Sequence, residues 1–188
     1  MKTLHQWLAA VSIAVISQVA LATPVPFAGA LSASDPTYNR TLAGNPPSGL
    51  SAVGTAVSYD IYTFHVTAID SYVMETLSAA FAPGSADDTF ITLYQNAFNP
   101  ALPLSNALQA DDDSGPGALS LITRSLNPGI NYFLVVTSFN NGQFGNYTGQ
   151  LNSATGLGQV VLGRVPEPAT LALLGLGLAG LGFSRRRH

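Results

Sequence analysis

The chain has 188 residues, no cysteine, and charged side chains at only 9% of its positions. This length gives room for one domain of ordinary size. Residues 23–165 contain three arginines, no lysine and nine acidic side chains, which gives a formal charge of −6. A nucleic-acid-binding surface needs clustered lysine and arginine, so we expect no nucleic-acid partner. The lack of cysteine excludes disulfides, a thiol nucleophile and cysteine-based metal sites.

The N-terminus shows the three parts of a secretory signal peptide. Lys2 precedes an apolar run from Leu8 to Ile16, and the small-x-small sequence Ala20-Leu21-Ala22 follows. The apolar run is too short to span a bilayer comfortably, and this order of parts is typical of a cleaved signal. We predict a signal helix within residues 1–22, export through the secretion translocon, and removal by signal peptidase after Ala22.

The C-terminus ends in an uncharged apolar segment and a group of arginines. Residues 169–183 carry no charge, and as a helix they would reach about 22 Å, short of the roughly 30 Å hydrocarbon layer. We predict a transmembrane helix here that acts as a transient stop rather than a permanent anchor. The arginines that follow should stay in the cytoplasm, which places the preceding domain on the other side of the membrane; they are Arg185, Arg186 and Arg187.

The tripeptide Pro166-Glu167-Pro168 comes just before this apolar segment. Its prolines disfavour a helix and hold the glutamate in an extended segment, which is the backbone form that proteases generally bind. The tripeptide, the glycine-spaced leucine run and the arginine cluster together resemble the PEP-CTERM sorting signal, here residues 166–188. The resemblance implies recognition by an exosortase, a membrane-embedded protease of Gram-negative bacteria. It also implies removal of the tail and transfer of the domain from the inner membrane to the cell surface or exopolysaccharide matrix. An ordinary single-pass anchor is the alternative.

The stretch between the two ends has the pattern of an all-β domain. From Tyr59 to Val66, polar and apolar residues alternate with period two. Similar runs follow, and Gly, Pro and Asn clusters separate them. Many short strands without helical periodicity predict an antiparallel β-sandwich or jelly roll over residues 23–165. The predicted strands are residues 59–66, 72–81, 90–94, 119–126, 132–139 and 146–151.

Residues 60–151 also resemble the bacterial pre-peptidase C-terminal domain, a β-sandwich that is often attached to secreted enzymes. The resemblance implies a sandwich core over residues 55–153. No peptidase domain precedes this core, so we expect it to act alone rather than as an enzyme's accessory. The resemblance is carried by Asp60-x-Tyr62-x-Phe64, Asp88 to Tyr94, Asp112 to Gly115, Leu126 to Gly129 with Tyr132 to Val136, and Gly145-Asn146-Tyr147.

An acidic loop is the best candidate for a ligand site. The loop contains three adjacent aspartates at residues 111–113, whose carboxylates repel one another. A hard cation such as Ca²⁺, which takes six to eight oxygen ligands, would neutralise them. Some pre-peptidase C-terminal-like domains bind calcium through such acids, as the resemblance implies. A solvated turn capped by an aspartate is the alternative. The predicted calcium ligands are Asp88, Asp111, Asp112 and Asp113.

No residue pattern indicates catalysis. His65 is the only histidine between the two ends, and no nucleophile motif accompanies it. We therefore expect no enzyme and no catalytic residue, but a structural or binding protein of the surface or matrix, with exopolysaccharide as a candidate partner. A calcium- or carbohydrate-binding module is the alternative, and a secreted hydrolase is a more distant one.

Overall fold

A computed structural model describes residues 22–84 and 87–163 of the chain. No helix occurs among these residues, so none of them belongs to a helix that could cross a membrane. They form ten strands: β1 (Val25–Leu31), β2 (Thr37–Tyr38), β3 (Val57–Val66), β4 (Asp70–Ala79), β5 (Thr89–Gln95), β6 (Ala107–Asp111), β7 (Leu121–Leu126), β8 (Tyr132–Ser138), β9 (Gly145–Ser153) and β10 (Val160–Leu162).

The strands form two antiparallel sheets. The smaller sheet has the order β1-β9-β4-β7, and the larger has the order β10-β3-β8-β5-β6, with β2 also paired to β3. One hydrophobic core contains buried side chains from both sheets, such as Met74 and Leu151 from the smaller and Phe64 and Leu134 from the larger. The prediction of an all-β antiparallel fold is confirmed, and the layers form a β-sandwich.

The larger sheet is covered on both faces. Alternate residues of β3 and β8 point in opposite directions: Leu134 faces the core between the sheets, while Val135 joins a second apolar cluster on the outer face. Tyr38 of β2 and Phe98, from the connection after β5, complete that outer cluster. This explains why every residue of β8 is buried, as expected for a strand between two apolar layers.

All six predicted strands are present, and none of their end points is shifted by more than two residues. Four further strands were not predicted, namely β1, β2, β6 and β10. In β1, Pro26 and small residues weaken the strand pattern, but β1 pairs only with β9, and an edge strand tolerates proline. Phe27 covers Gly149 of β9, where a Cβ would lie 2.2 Å from the phenyl ring.

Both predicted helices fall outside the described part of the chain. Residues 1–21 of the predicted signal peptide and the predicted membrane segment at residues 169–183 are not among the described residues. The described chain begins at Ala22, three residues before β1. A cut after Ala22 would therefore leave β1 whole.

Candidate functional site

The acidic loop between β6 and β7 is closed by its first carboxylate. The Asp111 side chain accepts hydrogen bonds from Ser114 N at 3.1 Å, Ser114 Oγ at 2.5 Å and Leu121 N at 2.8 Å. Gly115 N donates to Leu119 O at 2.8 Å, and a Cβ at position 115 would lie only 2.6 Å from that oxygen. The turn thus requires glycine at this position and uses Asp111 as its cap.

A buried cluster of hydroxyl groups fixes the same loop against β5. Thr76, Thr89 and Ser120 are completely buried. The Oγ1 atoms of the two threonines lie 2.8 Å apart, and Ser120 N lies 2.9 Å from each of them. Thr89 directly follows Asp88, and Ser120 directly precedes β7. The cluster therefore holds the Asp88 backbone beside the end of the acidic loop.

Three carboxylates converge at this point. Asp88, Asp112 and Asp113 each present an oxygen, and the three oxygens lie within 4.8 Å of one another. Asp113 is exposed, and the other two are half-buried. The structure thus brings together three of the four residues that the sequence predicts as calcium ligands. Asp111, the fourth, instead uses its carboxylate to accept the hydrogen bonds that close the turn.

Asp112 has the least compensated carboxylate of the group. Its Oδ1 is buried and accepts no hydrogen bond within the described part of the chain. Burial, followed by repulsion from Asp113, raises the pKa of Asp112 to about 6. The same two causes raise the pKa of Asp88. Each shift means that the charged form is disfavoured at this place in the fold.

A buried arginine partly offsets these charges. Arg40 is 1% exposed, and its guanidinium carbon lies 4.0 Å from the ring centre of Phe90 and 4.3 Å from that of Phe139. Its Nε donates to Phe139 O at 3.0 Å, and Nη1 donates to Thr41 O at 3.1 Å. The positive charge lowers the pKa of both Asp88 and Asp112, although burial outweighs it. Such stacking between two rings is a favourable environment for arginine.

Sequence reasoning missed Arg40, although one signal was available. The domain has only three basic residues, so each is a candidate counter-ion for its nine acids. When all three carboxylates are ionised, they and Arg40 together carry a charge of −2. A single divalent cation would balance this charge, and carboxylate oxygens are the ligands that Ca²⁺ prefers.

His65 takes no part in this group. Its Nδ1 lies 3.3 Å from Gly163 O, and because a carbonyl only accepts, Nδ1 carries the proton in this contact. It is also the single histidine of the described residues, so it has no histidine partner there for a shared metal ion. The histidine links β3 to the end of β10, which is a structural contact.

The predicted sorting residues begin four positions after the end of the last strand. Gly163 N donates to Thr63 O at 2.7 Å, and this residue alone separates β10 from position 164. Ala20 and every predicted sorting residue lie outside the described residues; the sorting residues are Pro166, Glu167, Pro168, Arg185, Arg186 and Arg187.

Comparison with known protein families matches residues 164–187 to the PEP-CTERM protein-sorting motif. The match begins at the residue after Gly163 and covers the proline, leucine and arginine parts of the tail. No family match covers the β domain, so its resemblance to the pre-peptidase C-terminal domain stays a prediction. Comparison with curated proteins finds no match. The motif indicates an exported protein that is sorted at the membrane by an exosortase.

Proposed function

We propose that this chain is a non-enzymatic component of the cell surface or exopolysaccharide matrix of a Gram-negative bacterium. The observation that carries the proposal is the sorting motif that directly follows a folded β-sandwich. Signal peptidase and the translocon would deliver the domain across the inner membrane. An exosortase would then cut the tail and release the domain.

The short connection supports processing at the membrane surface. Five residues, 164–168, separate Gly163 from Ala169, the first residue of the apolar segment, so six Cα–Cα steps join the two. Even fully extended, they span about 20 Å. The folded sandwich would therefore stay close to the bilayer until the tail is cut, and cutting would free it to associate with the matrix.

A non-enzymatic role is favoured by the content of the candidate site. The site contains carboxylates and an arginine, and the described histidine lies at the β10 edge, bonded to a main-chain carbonyl. Mechanisms that use a histidine base oriented by a carboxylate need the two groups to meet, and His65 does not contact these carboxylates. The β domain is accordingly proposed to be a pre-peptidase C-terminal-like sandwich that acts alone through structure or binding, and a hydrolase is the less favoured alternative.

Cell fractionation tests the proposed destination. In a host that contains an exosortase, we expect the protein in the surface or matrix fraction; in the same host without its exosortase, we expect it in the inner membrane. The physical reason is that only cutting separates the domain from its apolar tail. A protein that occurs in the same fraction of both hosts would contradict the proposal.

Calcium binding is a second candidate function, favoured by the unpartnered Asp112 Oδ1. A calcium ion held by Asp88, Asp112 and Asp113 would give that oxygen a partner and balance the charge of −2. The remaining coordination positions would be taken by water or main-chain carbonyls. Binding to the folded state alone would stabilise it.

We expect calcium to raise the melting temperature of the exported protein at pH 7. At ten times the dissociation constant the gain is about 1.4 kcal/mol, or about 5 °C for a domain of this size. The rise should shrink at pH 5, because protons compete for Asp112, whose pKa is raised to about 6. Calorimetry with and without calcium at the two pH values measures this.

In the calcium-free protein, the raised pKa of Asp112 determines the direction in which stability changes with pH. A pKa above the unfolded value means that the folded state holds the proton more tightly, so stability falls as the pH rises from about 4 to about 6. Asp112→Asn should reduce this fall, to which Asp88 also contributes, and should abolish the calcium effect. Asp87→Asn, the same change at an exposed neighbour outside the group of three, should keep both. An equal calcium shift in the two variants would rule out this site.

A further inference from the structure

A cavity of about 290 Å³ lies where β5 ends and β8 begins, at the edge of the outer apolar cluster. It is open to solvent, and its size is at the lower end of the range for ligand sites, which starts at about 300 Å³. Among the residues that the structure describes, the lining carries no charge: Asn96, Ala97, Phe98, Asn131 and Phe133.

The wall of this cavity is held rigidly. Asn96 N donates to Asn131 O at 2.7 Å, and Asn106 Nδ2 donates to Ala97 O at 3.3 Å. The Phe98 ring packs edge-on against Tyr38 and Tyr59, with centroid distances of 5.2 and 5.3 Å. A ligand that binds here would therefore meet an aromatic surface that needs little ordering.

Asn96 stands in an uncommon backbone conformation for a residue with a side chain. Its φ is +65°, in the left-handed region that asparagine tolerates better than most residues. In this conformation the exposed Asn96 forms part of the cavity lining. The Asn96 side-chain amide makes no hydrogen bond to another described residue, so its donor and acceptor are available to a ligand.

We propose that this cavity binds one ring of a neutral polysaccharide. A sugar ring has an apolar face that can pack on the half-buried Phe98, since Phe133 is buried. It also has hydroxyl groups that can exchange hydrogen bonds with the Asn96 amide. A charged ligand would find no counter-charge among the described lining residues. The domain's formal charge of −6 also repels polyanions such as polyuronates. This inference rests on the proposed delivery to the exopolysaccharide matrix and names the class of glycan that the domain would hold there.

Binding of the exported protein to three soluble probes tests the inference: a neutral glucan, a neutral mannan and a polyuronate. We expect binding to at least one neutral probe and no preference for the polyuronate. Asn96→Gly keeps the positive φ but removes the amide, and it should weaken binding about tenfold. Phe98→Leu keeps the apolar packing but removes the aromatic face, and it should weaken binding to a similar extent.

Leu104→Ala is the matched control, because Leu104 lines a different cavity on the surface and is 44% exposed. It should bind as the wild type does. Absence of binding to both neutral probes, a preference for the polyuronate, or unchanged binding in both Asn96→Gly and Phe98→Leu would overturn the inference. Fractionation separates the two proposals: a protein that reaches the surface but binds no neutral glycan contradicts only the glycan site, whereas one that stays in the inner membrane contradicts the proposed function.

Discussion

Replacing Arg40 by alanine should destabilise the domain by about 3 to 5 kcal/mol, because it removes a large, fully buried side chain and charge-assisted hydrogen bonds. The change leaves a cavity between Phe90 and Phe139 and frees two main-chain carbonyls of their donor. It also removes the positive charge that opposes the raised pKa of Asp112. Urea unfolding of the exported protein measures the change as a lower midpoint with an unchanged slope.

Arg124→Ala provides the matched control for this prediction. Arg124 is only half-buried and uses one nitrogen to donate to Asn45 Oδ1 at 2.6 Å and Leu108 O at 3.1 Å. Its loss should cost about 1 kcal/mol. Arg40→Lys should fall between wild type and Arg40→Ala, because lysine keeps the charge but not the planar fork. Equal destabilisation by the two alanine substitutions would show that the buried, stacked Arg40 contributes no more to stability than the half-buried Arg124.

The largest effect on processing should come from the sorting tripeptide. Glu167→Ala, or Pro166→Ala combined with Pro168→Ala, should leave an uncut form in the inner membrane of a host that contains an exosortase. The reason is that a protease needs an extended backbone with its recognition groups in place. Fractionation followed by intact-mass measurement detects the uncut form.

Two further variants separate recognition from retention. Deleting Arg185 to Arg187 should weaken the cytoplasmic stop and release uncut protein. Glu75→Ala changes the chain's other glutamate, which accepts a hydrogen bond from Gln150 Nε2 at 2.7 Å within the sandwich. It should be processed normally. If Glu167→Ala is processed at the same rate as Glu75→Ala, the exosortase does not recognise the Glu167 carboxylate.

The strands that the sequence predicts are those whose own pattern is strong. β3 alternates clearly, and the structure follows this period of two: Phe64 and Val66 lie in the core, and Tyr59 lies on the opposite face. The strands that were missed depend on distant partners. β10 has only three residues, two of them exposed, and exists because it pairs with residues 64–66 of β3. Local periodicity contains no information about such pairing.

Part of the candidate site was predictable because some of its residues are neighbours in the sequence. Adjacent aspartates are visible in a sequence, and Asp88 could be placed near them because a predicted strand begins beside it. The separate role of Asp111 could not be seen, since it depends on the turn geometry around Ser114 and Leu121. Arg40 was missed because it lies in a loop and reaches the site only through the packing of Phe90 and Phe139.

The intact mass of the mature wild-type protein, purified from a host that contains an exosortase, tests the central claim most directly. We expect a chain that begins at Thr23, as the small-x-small site requires, and that lacks residues 171–188, because the tail is removed at the membrane. A protein that still begins at Met1, or that retains residues 171–188 in such a host, would contradict it.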